Sequence, residues 1–388
     1  MIGKRYRYIM ITFWGALLLL GACRKGEPVI PSEQTPVGPG EDSGPIQGFF
    51  LLNEGNMGSN KATLDYFDYS TGIYTLNIYP ERNPGVVKEL GDVGNDIQVY
   101  GDKLYAVMNH SNLVEVMDVR TARHIAEVSV PNCRYIVFKE GFAYVSSYAG
   151  EVMVDPDARL GSVVRIDTAT LKVTGECTVG YQPEEMVVVG NRLYVANSGG
   201  YRAPHYDRTV SVIDLVTFRE IKKIDVAINL HCMELDRHGN IYVSSRGDNN
   251  TVSSKTYVID SETDRVTDVL HLLPNSNMAL AGDSLYVFSV EWNWSTEKNT
   301  IQYAIVDTRT KKIVTRHFIT DGTEAGIEKP YGIAVNPYNG DLLITDAKSY
   351  VTPGTLHCYD RNGQLKWSKR TGDIPGSIVF TPKKLQPR

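Results

Sequence analysis

Apolar and polar positions alternate along this chain in short runs of period two, and the runs recur. Each run closes on an apolar residue followed by aspartate, at Phe67-Asp68, Met117-Asp118, Ile166-Asp167, Ile213-Asp214, Ile259-Asp260, Val306-Asp307 and Tyr359-Asp360, roughly 46 to 53 residues apart. A second run precedes most of them, an apolar-Tyr-apolar strand: Leu104-Tyr105-Ala106, Ala143-Tyr144-Val145, Leu193-Tyr194-Val195, Ile241-Tyr242-Val243 and Leu285-Tyr286-Val287, with Leu342-Leu343-Ile344 lacking the tyrosine. Turn signals separate the runs, among them Gly101-Asp102, Gly190-Asn191, Gly282-Asp283 and Asn339-Gly340-Asp341. Two marks in fixed order at this period predict an all-β, seven-bladed β-propeller of four-stranded antiparallel blades.

The first repeat lacks an innermost strand, whereas the C-terminus ends on an orphan apolar strand from Gly376 to Phe380. Joining the orphan to the first blade closes the ring and removes open edges. Blades are predicted at about 48–80 with 374–382, 95–130, 133–179, 183–226, 230–270, 277–319 and 330–371, six and eight being the neighbouring counts. The repeated aspartates precede threonine or similar residues, as in Asp167-Thr168-Ala169-Thr170, so their expected role is to satisfy turn backbone.

The N-terminal region breaks the pattern. A basic start and an apolar run from Ile9 to Leu20 lead to Leu20-Gly21-Ala22-Cys23, which resembles a bacterial lipoprotein signal cleaved before a lipidated Cys23. The alternative, a single membrane-spanning anchor, has a short apolar run for ~30 Å of hydrocarbon. Residues 1–22 are thus read as signal peptide and 23–47 as a Pro/Gly-rich tether, leaving 48–388 as the propeller.

Composition adds limits. The formal charge of −5 includes Lys4, Arg5 and Arg7 of the leader, and without those three it is about −8, which argues against nucleic acid as a partner. Of five cysteines, Cys133, Cys177, Cys232 and Cys358 fall in separate blades without a Cys-x-x-Cys pair and read as single small apolar residues. Tyrosine, at 23 against 10 phenylalanines, suits both strand faces and binding surfaces.

Candidate chemistry lies in long loops between second and third strands, which share one rim with the connections into the innermost strands. Groups that lose little entropy on binding gather there. The first blades offer Asn53, Asn56, Asn109, His110, Arg134 and Tyr148; the fourth offers Asn197, Tyr201, His205 and Tyr206; the later ones offer Arg246, Asp248, Trp292, Trp294, Tyr331 and Tyr350. These suit a large, weakly charged ligand with amide or hydroxyl edges and apolar faces. No catalytic residue is assigned, since nucleophile-elbow, zincin, P-loop and dinucleotide patterns are all missing from the sequence. Glu54, Asp96, Asp155, Asp157, Asp248 and Glu291 read as loop acids and His110, His205 and His231 as hydrogen-bonded histidines, so no metal site and no catalytic cofactor is expected.

The strands Leu193 to Asn197 and Ser211 to Asp214 resemble those of YncE-type or surface-layer-type seven-bladed propellers over nearly all of residues 48–382. With Cys23, the tether, Leu52-Asn53-Glu54-Gly55 and the Tyr- and Asn-rich loops, the chain is similar to the surface-exposed cobalamin-binding propeller lipoproteins of gut bacteria (BtuG). That resemblance implies a non-enzymatic, lipid-anchored outer-membrane protein exposed at the cell surface. It would bind cobalamin or related corrinoids and deliver them to a TonB-dependent outer-membrane barrel transporter. The competing expectations are a metal-assisted lactone hydrolase, with Glu54, Asn109 and Asn197 as available ligands, and a glycan- or protein-binding adhesin.

Overall fold

The computed structural model describes residues 32–386 other than 87–88, 152, 249, 271–273 and 294. The leader, Cys23 and Trp294 lie outside them. Seven separate antiparallel sheets follow one another around a central channel. Blade four is representative: Pro183–Val189 innermost, then Arg192–Asn197, Thr209–Asp214 and Arg219–Asp225. The innermost strands of blades two to seven are Gly94–Tyr100, Cys133–Lys139, Pro183–Val189, Leu230–Leu235, Asn277–Ala281 and Pro330–Val335. Pro375–Thr381 supplies that of blade one, pairing Phe380 with Phe49 and Ile378 with Leu51. The ring closes as the orphan strand predicted.

Both sequence marks have physical jobs. Along Arg192–Asn197, Leu193 and Val195 pack toward blade three while Tyr194 and Ala196 pack toward blade five, so one strand's alternation fills two inter-blade cores. Each such buried aliphatic side chain contributes about 1.5–3 kcal/mol, so a charge at Val195 would break both the interface and the blade. The Tyr194 hydroxyl crosses that interface and donates to Asp264 Oδ1 at 2.7 Å and the Ser261 carbonyl at 3.2 Å, in the turn of blade five. Tyr242 repeats the contact one blade on, donating to the Thr308 carbonyl at 3.0 Å. The aspartates are turn acceptors: Asp214 Oδ1 receives Thr217 N–H at 2.7 Å and its hydroxyl at 2.8 Å, and Asp118, Asp167 and Asp260 do the same. The hairpin glycines Gly190 and Gly340 sit at φ +58° and +78°, which side-chain-bearing residues rarely adopt.

The segment read as a tether is docked over its described part. Glu33–Pro36 pairs with Ile73–Leu76 and adds a fifth strand to blade one. Lys369 Nζ donates to Thr35 Oγ1 at 2.7 Å, Lys366 Nζ to Glu41 at 2.6 Å and Asn336 Nδ2 to Ser43 Oγ at 2.9 Å. The four-residue strand Ile73–Leu76 would otherwise leave an open edge, which this segment covers. Among the described residues no helix is long and apolar enough to cross a membrane.

Because Pro375–Thr381 supplies an entire inner strand, truncation after Gly372 should lower the melting temperature by at least about 10 °C or abolish cooperative unfolding. Calorimetry of the truncated chain checks this; an unchanged transition contradicts the closure.

Candidate functional site: the central cavity

The loops between second and third strands and the starts of the inner strands enclose a cavity of about 1500 Å³ to which all seven blades contribute. Trp292, half exposed, stands near the tip of the elongated hairpin Ser284–Asn293/Lys298–Asp307, paired with Asn299. With Met57, Val252 and Tyr350 it gives the mouth an apolar rim. Asn250 and Asn299 also line the cavity, as do Asn95, Asn109, Asn275 and Asn277, whose amide N–H groups are held by acceptors within the protein.

On the side of blades three to five, a buried anion organises the wall. Glu184, 1% exposed, receives Arg134 Nη2 at 3.2 Å, Arg246 Nη1 at 3.2 Å and the Tyr148 hydroxyl at 2.5 Å. Burial opposes ionisation of Glu184, but Arg134 and then Arg246 outweigh it and hold its carboxyl at about 2. Arg134 lies over the Tyr148 ring at 5.1 Å, and Tyr148 meets Tyr201 edge-on at 6.1 Å. Two cations on one anion leave this wall net positive toward the cavity. Across the channel, Tyr331 donates to Glu54 Oε1 at 2.7 Å and meets Tyr350 edge-on at 5.8 Å, while Lys329 Nζ sits 4.0 Å from the Tyr350 ring centroid. Burial lifts the Glu54 carboxyl to about 7 against the opposing effects of Tyr331 and Arg134.

The sequence profile of DUF5074, a domain of unknown function, matches residues 47–372. The chain belongs to the DUF5074 family. No curated protein matches it in sequence. Among solved structures, this DUF5074 propeller is similar to a hypothetical selenium-binding protein of Sulfolobus tokodaii (TM-score 0.60, 9% identity, 88% of this chain and 96% of that one). It is also similar to a quinonprotein alcohol dehydrogenase-like protein of Bacteroides thetaiotaomicron (0.57, 16%, 87% and 78%) and to AztD of Citrobacter koseri (0.51, 12%, 86% and 97%). At these identities the likeness is one of fold.

Of the residues selected from the sequence, Asn109, Arg134, Tyr201, Arg246, Trp292, Tyr331 and Tyr350 line the DUF5074 cavity. Others do not. Asn53 is fully buried and donates to Thr63 Oγ1 and Asp65 Oδ2, each at 3.0 Å. Asn197 is likewise buried, accepting Gly180 N–H and donating to Thr209 and Ser211, so it ends a strand and does not line the cavity. Asn109 donates to Asn132 Oδ1 at 2.6 Å and the Cys133 carbonyl at 2.9 Å, which occupies its amide. Tyr148 stands behind the lining, fixing Glu184. Asp248 caps its own loop through the N–H groups of residues 250–252. His110 pairs with Asp92 at 2.7 Å, and Asn56, His205 and Tyr206 lie away from the lining. Of Glu54, Asn109 and Asn197, the candidates of the hydrolase alternative, the first two line the cavity and Asn197 does not.

Sequence reading missed Glu184 and the channel-wall acids Glu185 and Glu234, although Pro183-Glu184-Glu185 at the start of an apolar inner strand was their signal. Asp96, read as a loop acid, instead sits on an inner strand. Burial raises Asp96 to about 6, Glu234 to about 7 and Glu185 to about 8.

These raised carboxyls fix a sign. Ordinary carboxylates titrate near pH 4, so at these groups the folded chain holds more protons than the unfolded chain between about pH 4 and 8. Their contribution to stability is complete below about pH 4 and is lost as pH rises through the folded values. The melting temperature should be higher at about pH 5.5 than at about pH 8.5, and Glu185→Gln with Glu234→Gln should narrow the gap. Equal or reversed melting temperatures contradict the assignment.

Proposed function

We propose that this propeller is a non-catalytic capture protein that binds cobalamin or a related corrinoid in the central cavity and passes it to a TonB-dependent outer-membrane barrel. The observation that carries the reading is a large central cavity, walled by aromatic rings, amides and an arginine pair. Its volume exceeds the roughly 300–1,000 Å³ of drug-sized sites, so a larger ligand is called for. A corrinoid is broad, apolar on its faces and rimmed by amides, and in cobalamin it carries a phosphodiester. Trp292, Tyr331 and Tyr350 suit the faces, the asparagines suit the rim, and Arg134 with Arg246 suits the phosphodiester. A ring whose walls are strands keeps the ordering cost of binding low. Lipidation at Cys23 would anchor the chain to a membrane, and the resemblance to surface-exposed propeller lipoproteins supports the cell surface as its place.

Calorimetric titration of the purified chain with cyanocobalamin should show saturable heat at one site per chain. Trp292→Ala with Tyr350→Ala should weaken binding about tenfold or more, with the melting temperature within about 2 °C of the parent because both rings are substantially exposed. Absence of heat overturns the corrinoid reading. Chelator-sensitive hydrolysis of a lactone would instead favour the enzyme.

A further inference from the structure

The inner strand of blade five breaks its own alternation. Leu230 pairs with Ser245 and Met233 with Val243, so His231 and Cys232 together oppose Ser244 alone. In a regular strand, neighbouring side chains point to opposite faces. Here the bulge brings two neighbours together, and His231 Nδ1 lies 3.2 Å from Cys232 Sγ. Glu185, from the inner strand of blade four, completes a trio in which one ligand atom of each residue lies within 4.8 Å of the others. Among the described residues this is the one group of three histidine, cysteine or acidic side chains so disposed.

The surroundings orient these groups. His231 Nε2 is 2.9 Å from the Tyr135 hydroxyl. With Nε2–H donating to that oxygen, Nδ1 presents its lone pair to the trio, the arrangement by which partners of metal-bound histidines fix ring and tautomer. One Glu185 oxygen accepts Met233 N–H at 2.8 Å, which pins the carboxylate, and the Cys232 thiol is in hydrogen-bond contact with it as well. Cys133, Cys177 and Cys358 are buried too, but none has such company.

We propose that Glu185, His231 and Cys232 form a site for a thiophilic divalent cation, Zn²⁺ by its preference for mixed nitrogen, sulfur and oxygen ligands. Binding exchanges the Cys232 thiol proton for the cation and releases that proton to solvent. Three protein ligands leave a coordination position, and Glu185 and His231 both line the central cavity. The site stands apart from the corrinoid reading, since neither Trp292 nor Tyr350 belongs to it.

Titration of the reduced, untagged chain with Co²⁺, as a spectroscopic substitute for Zn²⁺, is the test. The expected result is a thiolate-to-cobalt charge-transfer band in the near ultraviolet, reversed by Zn²⁺, lost in Cys232→Ala and kept in Cys177→Ala. Zn²⁺ should raise the melting temperature of the parent chain, and His231→Gln and Glu185→Gln should each weaken Zn²⁺ binding at least about tenfold. No band in the parent, or a band that survives Cys232→Ala, overturns the site. Should Cys232→Ala fail to fold, unchanged Zn²⁺ affinity in both His231→Gln and Glu185→Gln overturns it equally.

Discussion

Closing seven separate sheets into one ring leaves the inner strands side by side without a shared ladder, so their facing N–H groups need acceptors from side chains. Asp96 meets this need between blades two and three, accepting Ile136 N–H at 3.0 Å while also accepting the Ser377 hydroxyl of blade one at 3.0 Å. Glu185 accepts Met233 N–H between blades four and five, and Glu234 does so for Leu280 between blades five and six. Where no side chain fits, the backbones close up directly: a Cβ on Gly332 would stand 2.1 Å from the Gly376 carbonyl oxygen, at the junction of blades seven and one.

The same bridging acids make the channel what it is. Short polar staples must lie on the channel wall, where enclosure raises their affinity for protons. The positive counterweight is placed nearer the mouth, where Glu184 gathers Arg134 and Arg246. The cavity lining thus combines apolar rings, amides, an arginine pair and carboxyls. Glu185 belongs to two of these arrangements, as inter-blade acceptor and as neighbour of His231 and Cys232.

The fold was legible because its marks repeat. Leu193, Tyr194 and Ile213 recur in equivalent positions, and period-two alternation in each copy fixes which side chains enter which inter-blade core. The closing strand was legible because an orphan needs a partner. The site was less so. Loop position identified Arg134, Tyr201, Arg246, Trp292, Tyr331 and Tyr350, but Asn53 and Asn197, of the same chemistry, turn inward to end their strands. Glu184 and the pairing of His231 with Cys232 depend on contacts between blades and on a bulge, neither of which composition or period encodes. The strand Glu33–Pro36 was hidden by prolines and glycines that suit an edge position as well as a linker.

The central claim, capture inside the loop-rich mouth, is tested most directly by amide hydrogen exchange with and without cyanocobalamin. Slowed exchange should appear at residues 246–248, 250–254, 290–293 and 329–333, with none at the opposite hairpins around Gly190 and Gly340. Protection confined to the opposite face or to the outer strands, or none at saturating ligand, would contradict the account.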